Sequence, residues 1–246
     1  MRILNLLMIA VVATSTAPAD AFAGVASGTG IALSKHDINT LAGAARDDQQ
    51  RICAFCHTPH HAMDPSAQDY MPLWSHNLTQ QNYISYKSPT IEVDARNITD
   101  PLAGPSRLCM SCHDGIIAAD QHYGDMATGT KFLTGDSFTP EANMAIGASG
   151  DLTRDHPIGF DYTKVAGAGA NADGTDKRIF AADGTLTFRG NPAVLVRDQL
   201  YQGRIMTCAT CHDVHNRDNN NGGADKNYFV YAPLKDSQLC LTCHDK

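Results

Sequence analysis

The sequence predicts a largely irregular chain, with short helices at four cysteine motifs and a small hairpin, whose core is not built by side chains alone. Three observations lead there. The pattern C-x-x-C-H occurs four times, at Cys53–His57, Cys109–His113, Cys208–His212 and Cys240–His244, and these copies use all eight cysteines. Aromatic residues make up only 7% of the 246 and hydrophobic residues 43%, which is thin for a conventional core of that size. Between the motifs the chain is rich in loop-forming residues, as in Val165–Asp176 and Asn219–Gly223.

C-x-x-C-H is the attachment signature for c-type haem. Residues three apart on a helical turn share one face, so the thiols of Cys53 and Cys56, and likewise Cys109 and Cys112, Cys208 and Cys211, Cys240 and Cys243, can each reach the two vinyl groups of one porphyrin. The histidine that follows (His57, His113, His212, His244) is carried to the iron. With 11 histidines in 246 residues, a position is His roughly one time in twenty. Four trailing histidines by accident are then on the order of one chance in a hundred thousand. A zinc ribbon needs two C-x-x-C knuckles about 15–20 residues apart, closer than any neighbouring pair here. A disulfide scaffold suits shorter chains and leaves the histidines unexplained, and a thioredoxin-like pair needs a βαβ context that is absent. The expected cofactors are four covalently bound haem c groups, and the expected fold class is a multihaem cytochrome c whose core is built on stacked haems.

At the N-terminus, Met1-Arg2, the apolar run Ile3–Val12 and Ala21-Phe22-Ala23 read as a signal peptide over residues 1–23. The run is too short for a membrane span; an uncleaved anchor is the alternative. The predicted location is secreted, extracellular or at the cell surface, with the periplasm as the alternative. The formal charge of −7 argues against nucleic acid and for redox proteins or extracellular metal acceptors as partners.

Comparing motifs exposes an internal duplication. Ser106-Arg107-Leu108-Cys109-Met110-Ser111-Cys112-His113-Asp114 matches Ser237-Gln238-Leu239-Cys240-Leu241-Thr242-Cys243-His244-Asp245, and both Cys53–His57 and Cys208–His212 carry a further histidine three residues on, His60 and His215. The expected halves are 24–120 and 121–246, two haems each, the second with a long loop insertion. Ser106 and Ser237 stand where N-caps would precede short helices, and Arg178–Phe188, centred on Asp183-Gly184, suits a hairpin.

Seven histidines lie outside the motifs: His36, His60, His61, His76, His122, His156 and His215. A histidine three residues after the motif histidine cannot reach the opposite face of its own haem but can serve a neighbour. By position in the two halves, His60 and His215 correspond, and so do His36 and His156. These four are the candidate distal ligands. His76 competes, and equally suits a hydrogen bond to a propionate; His61 could exchange with His60; His122 sits in a polar loop. Met63, Met71 and Met206 lie near motifs, and methionine is the other common axial ligand. With histidine on both faces an iron offers no vacancy for substrate, so an electron-transfer protein is expected rather than an enzyme.

At these residues the chain resembles the tetrahaem members of the doubled-CXXCH cytochrome c family found on the outer surface of metal-reducing bacteria, some of which polymerise into haem filaments. The resemblance rests on Ser34–Asp37, Cys53–His60, Pro72–Trp74, Leu108–Gly115, Asp155–Phe160 and both final motifs. It implies relay of electrons through four bis-His haems as a filament subunit, a homo-polymer in which His60 ligates a haem of the neighbouring subunit. Geometry equally permits a partner haem within the same chain. A monomeric periplasmic or secreted shuttle, with every ligand in cis, is the alternative.

Overall fold

The computed structural model describes residues 30–92, 95–98, 100–121, 129–135, 145–170, 173–216 and 228–245. The leader, His122 and Asn219–Gly223 lie outside these residues. Most of the described chain is irregular, broken by few short elements. Helix α1 (Pro105–His113) and helix α4 (Gln238–Cys243) carry the second motif of each half, α3 (Cys208–Cys211) carries the third motif in the chain, and a 3-10 turn, Ile52–Phe55, carries the first. Helix α2 is the single turn Tyr162–Val165, N-capped by Asp161, whose carboxylate accepts from Thr163 N.

The hairpin lies later than the sequence suggests. Strands β1 (Thr187–Phe188) and β2 (Asn191–Leu195) pair antiparallel around Arg189-Gly190, where Gly190 takes φ 75°. Asp183-Gly184 instead forms an Asx turn, with the Asp183 carboxylate accepting from Thr185 N and Leu186 N. The serine caps also differ. Pro105, with its preset φ, opens α1 two residues earlier, with Gly104 as the N-cap, which places Ser106 inside the helix and frees its hydroxyl. Ser237 is the N-cap of α4 by position, but at φ 57° it makes no side-chain cap bond.

Among the described residues the buried hydrophobic side chains form four small clusters, three of them linked by half-buried Ala182, Cys243 and Ile158. Phe160, Tyr162, Val165, Leu200 and Met206 anchor the largest; Phe188, Val194, Val196 and Tyr231 the hairpin; Trp74, Leu78 and Leu108 the third; Leu102, Met110 and Leu152 the fourth. Among the described residues no helix is long and apolar enough to cross a membrane.

The duplication is structural as well as sequential. Each half clamps its first motif with a short extended segment. In the N-terminal half Thr58 N donates to Leu73 O, Ser75 N to Cys56 O, and His57 bridges Trp74. In the C-terminal half Asp213 N donates to Phe229 O, Tyr231 N to Cys211 O, and His212 bridges Val230. Even the backbone strain repeats: Leu73 and Phe229 hold φ of 53° and 59°, a region unusual for bulky residues.

Candidate haem-binding site

The clamp orients the motif histidine. His57 Nδ1 lies 2.7 Å from Pro72 O and His212 Nδ1 2.7 Å from Tyr228 O. A carbonyl can only accept, so each ring donates from Nδ1 and keeps the lone pair of Nε2 free. This is the arrangement by which metal-bound histidines are usually held. His156 is held in the same way, with Nδ1 3.0 Å from Pro157 O.

Three motif histidines face a histidine from elsewhere in the chain. The ring centres of His57 and His215 are 6.2 Å apart, those of His36 and His113 6.1 Å, and those of His156 and His244 6.3 Å. An imidazole nitrogen binds a metal at about 2.0 Å and lies about 1.1 Å from its ring centre, so two imidazoles opposite each other on one metal are about 6.2 Å apart. Ordinary edge-to-face ring pairs also fall within about 4.5–7 Å. What separates the two readings is recurrence: the spacing comes back within a few tenths of an ångström, each time between a motif histidine and a non-motif histidine. The pairing follows the duplication. The upstream histidine of each half, His36 or His156, meets the second motif of its own half, whereas His215 crosses to the first motif of the other half.

The fourth motif histidine, His212, has no opposing ring among the described residues, although His36 and His113 are near enough to shift its titration or be shifted by it. His60, the fourth candidate, is exposed and its ring has no partner among the described residues. Burial, and then repulsion from His113, His212 and His215, pushes His36 down to about 3. His156 and His212 each keep an exposed edge, yet the atoms crowded round the rest of each ring lower both against the opposing pull of their carbonyl partners. These rings are therefore neutral at neutral pH, the form that can donate to a metal.

His76 does not share this arrangement. It is fully buried, with Nδ1 3.1 Å from Asn77 O and Nε2 3.0 Å from Ala118 O and 3.5 Å from Cys112 Sγ. Both nitrogens are engaged with protein atoms. Met206 is buried in the largest cluster, and Met63 and Met71 pack beside Trp74.

All eight cysteines are free thiols. Burial pushes Cys56, Cys112 and Cys211 up to about 12, and Cys109 rises through its hydrogen bond with Cys208 and then through burial. Cys208, its partner, is lowered by the same contact, and among the described residues no three His, Cys, Asp or Glu side chains group as a metal-ion site. The thiols also trace the order of the motifs in space, with Cys56 beside Cys112, Cys109 beside Cys208, and Cys211 beside Cys243. That run is first, second, third, fourth.

Two buried donors lack an acceptor among the described residues, Trp74 Nε1, whose ring lies 5.8 Å from that of His57, and Asn39 Nδ2. Leaving such a group unpaired costs about 1–3 kcal/mol, and the carboxylates of a porphyrin would satisfy both. The residues present thus fit haem on three counts: ring spacing, tautomer and orphaned donors. Sequence reasoning missed Trp74 and Asn39, because their significance lies in which atoms are left without partners. No family model and no curated protein matches the chain.

Proposed function

We propose that this chain is an electron-transfer protein that holds four haem c groups and assembles head to tail into an extracellular filament. The observation that carries the reading is the spacing of 6.1 to 6.3 Å repeated in three histidine pairs. Cys53 and Cys56 would hold the first porphyrin between His57 and His215. Cys109 and Cys112 would hold the second between His113 and His36, and Cys240 and Cys243 the fourth between His244 and His156. For the third, held by Cys208 and Cys211 under His212, the opposing ring comes from His60 of a neighbouring copy. When bound, haem supplies a one-electron couple between ferric and ferrous iron.

The protein's own part would be to offer each iron two neutral imidazoles, with the tautomer fixed at His57, His156 and His212 by a backbone carbonyl. A metal held that way has no position left for a substrate, so moving charge is the remaining task. The four groups would also add apolar surface between the small side-chain clusters. The formal charge of −7 suits cationic acceptors such as metal ions.

Electron microscopy of the secreted protein, repeated with His60→Ala, tests this. The wild type is expected to form polymers and the variant to remain short or monomeric. Equal polymerisation by the variant would remove His60 from the joint. A wild type that is monomeric in gel filtration would favour the shuttle with every ligand in cis.

A further inference from the structure

We infer that the contact between two copies repeats the contact between the two halves of one chain, seating Cys53 of one copy on Ser237 of another. The inference rests on the filament reading and specifies its joint. Within the chain, the halves meet where α3 abuts α1. Cys208 N donates to Ser106 Oγ at 3.1 Å, Ser106 is fully buried, Cys109 and Cys208 lie close enough to perturb each other, and the His215 ring reaches across to 6.2 Å from that of His57.

Each of these groups has a counterpart at an end of the molecule, and there the counterparts stand alone. By the duplication, Ser237 corresponds to Ser106, Cys240 to Cys109, Cys53 to Cys208, His60 to His215 and His212 to His57. Ser237 is exposed, and its hydroxyl makes no hydrogen bond among the described residues. Cys53 N–H has no acceptor among them either. Of the eight cysteines, Cys53 and Cys240 are the two that are exposed. His60 and His212 each lack an opposing ring among the described residues.

One end therefore offers a donor, a thiol and an imidazole (Cys53 N–H, Cys53 Sγ, His60). The other end offers their complements (Ser237 Oγ, Cys240 Sγ, His212). They match in the same combination that already holds the halves together. Because the two surfaces differ, the contact is heterologous and a second copy leaves a fresh end exposed, so the assembly stays open rather than closing as a dimer. A chain of copies becomes a continuous run of equivalent halves, with the covalent link present at every second joint.

Helical reconstruction of the wild-type polymer by electron cryomicroscopy reads the joint directly. The expected result is Cys53 N within hydrogen-bond reach of Ser237 Oγ of the adjacent copy, and His60 opposite His212 at the spacing of His57 and His215. Ser237→Arg is expected to abolish polymers while the purified variant keeps four haems and the low-spin spectrum of the first, second and fourth motifs, which shows that it has folded. Ser237→Ala, which removes the bond but adds no bulk, is expected to polymerise with shorter lengths. A wild-type polymer whose copies meet elsewhere, with Ser237 in solvent, would overturn the inference but not the filament. So would Ser237→Arg polymers as long as the wild type. A wild type that never polymerises would overturn the filament reading and the joint with it.

Discussion

His215 and His76 differ in what their ring nitrogens are doing, and that difference predicts opposite mutant behaviour. His215 is exposed, with its ring 6.2 Å from His57; its Nδ1 is 3.9 Å from the Asp213 carboxylate, too far for a hydrogen bond. His215→Ala should leave four attached haems and stability changed by less than about 1 kcal/mol in the polypeptide, while one haem of four turns from low-spin to high-spin in its absorption spectrum. His76 is fully buried between two backbone carbonyls, Asn77 O and Ala118 O, and its ring, kept neutral by burial, can donate to one of them at a time. Its replacement by Ala should cost about 2–4 kcal/mol in denaturant unfolding, from the cavity and the unpaired Ala118 carbonyl, with the spin state of all four haems unchanged. Both are single histidines near a motif in the sequence. The duplication alone distinguishes them there, because His215 has a counterpart and His76 has none. Which ring faces which is invisible at that level, since His57 and His215 are brought together by folding rather than by local spacing.

Two joints between elements carry most of the risk in the irregular chain. Gly104 precedes α1 at φ 57° and ψ −134°, a conformation open essentially to glycine. A Cβ there would fall 2.6 Å from the Tyr201 ring, which crosses from the other half and donates from its hydroxyl to Asp69 O. Gly104→Ala should therefore destabilise by about 2–4 kcal/mol through strain and overpacking, measured as a lowered melting temperature. Asp120 is the second joint. Its buried carboxylate accepts from Ala45 N at 2.7 Å, Lys131 N at 2.9 Å and Thr130 Oγ1 at 3.1 Å, tying three segments together. Burial would raise its pKa, but these hydrogen bonds outweigh that and hold it below the ordinary carboxylate value.

A carboxyl lowered in the folded state adds stability that is complete above its unfolded pKa of about 3.9 and is lost as pH falls through the folded value. Unfolding titrations should show Asp120→Asn less stable than wild type at neutral pH, with the gap narrowing below about pH 4. The helices at the motifs were legible in the sequence because cysteine spacing demands a helical turn. The hairpin was not, because Asp183-Gly184 and Arg189-Gly190 each offer a glycine turn six residues apart, and only the packing of Phe188 and Val194 against Tyr231 selects the later one.

At the scale of the molecule, four small clusters and a repeated pair of halves describe a scaffold organised around its histidine pairs. The pairing rule within one chain leaves one motif histidine, His212, and one candidate histidine, His60, over, and the proposed assembly would satisfy both. The duplication and the four attachment motifs were readable before any coordinates. The order of the motifs in space was not, since it depends on long-range contacts such as that of Cys208 with Ser106. Electron paramagnetic resonance of the oxidised, assembled protein tests the central claim most directly. The account predicts four low-spin ferric signals and no high-spin component. A high-spin signal from one or more irons in the assembled wild type would contradict it.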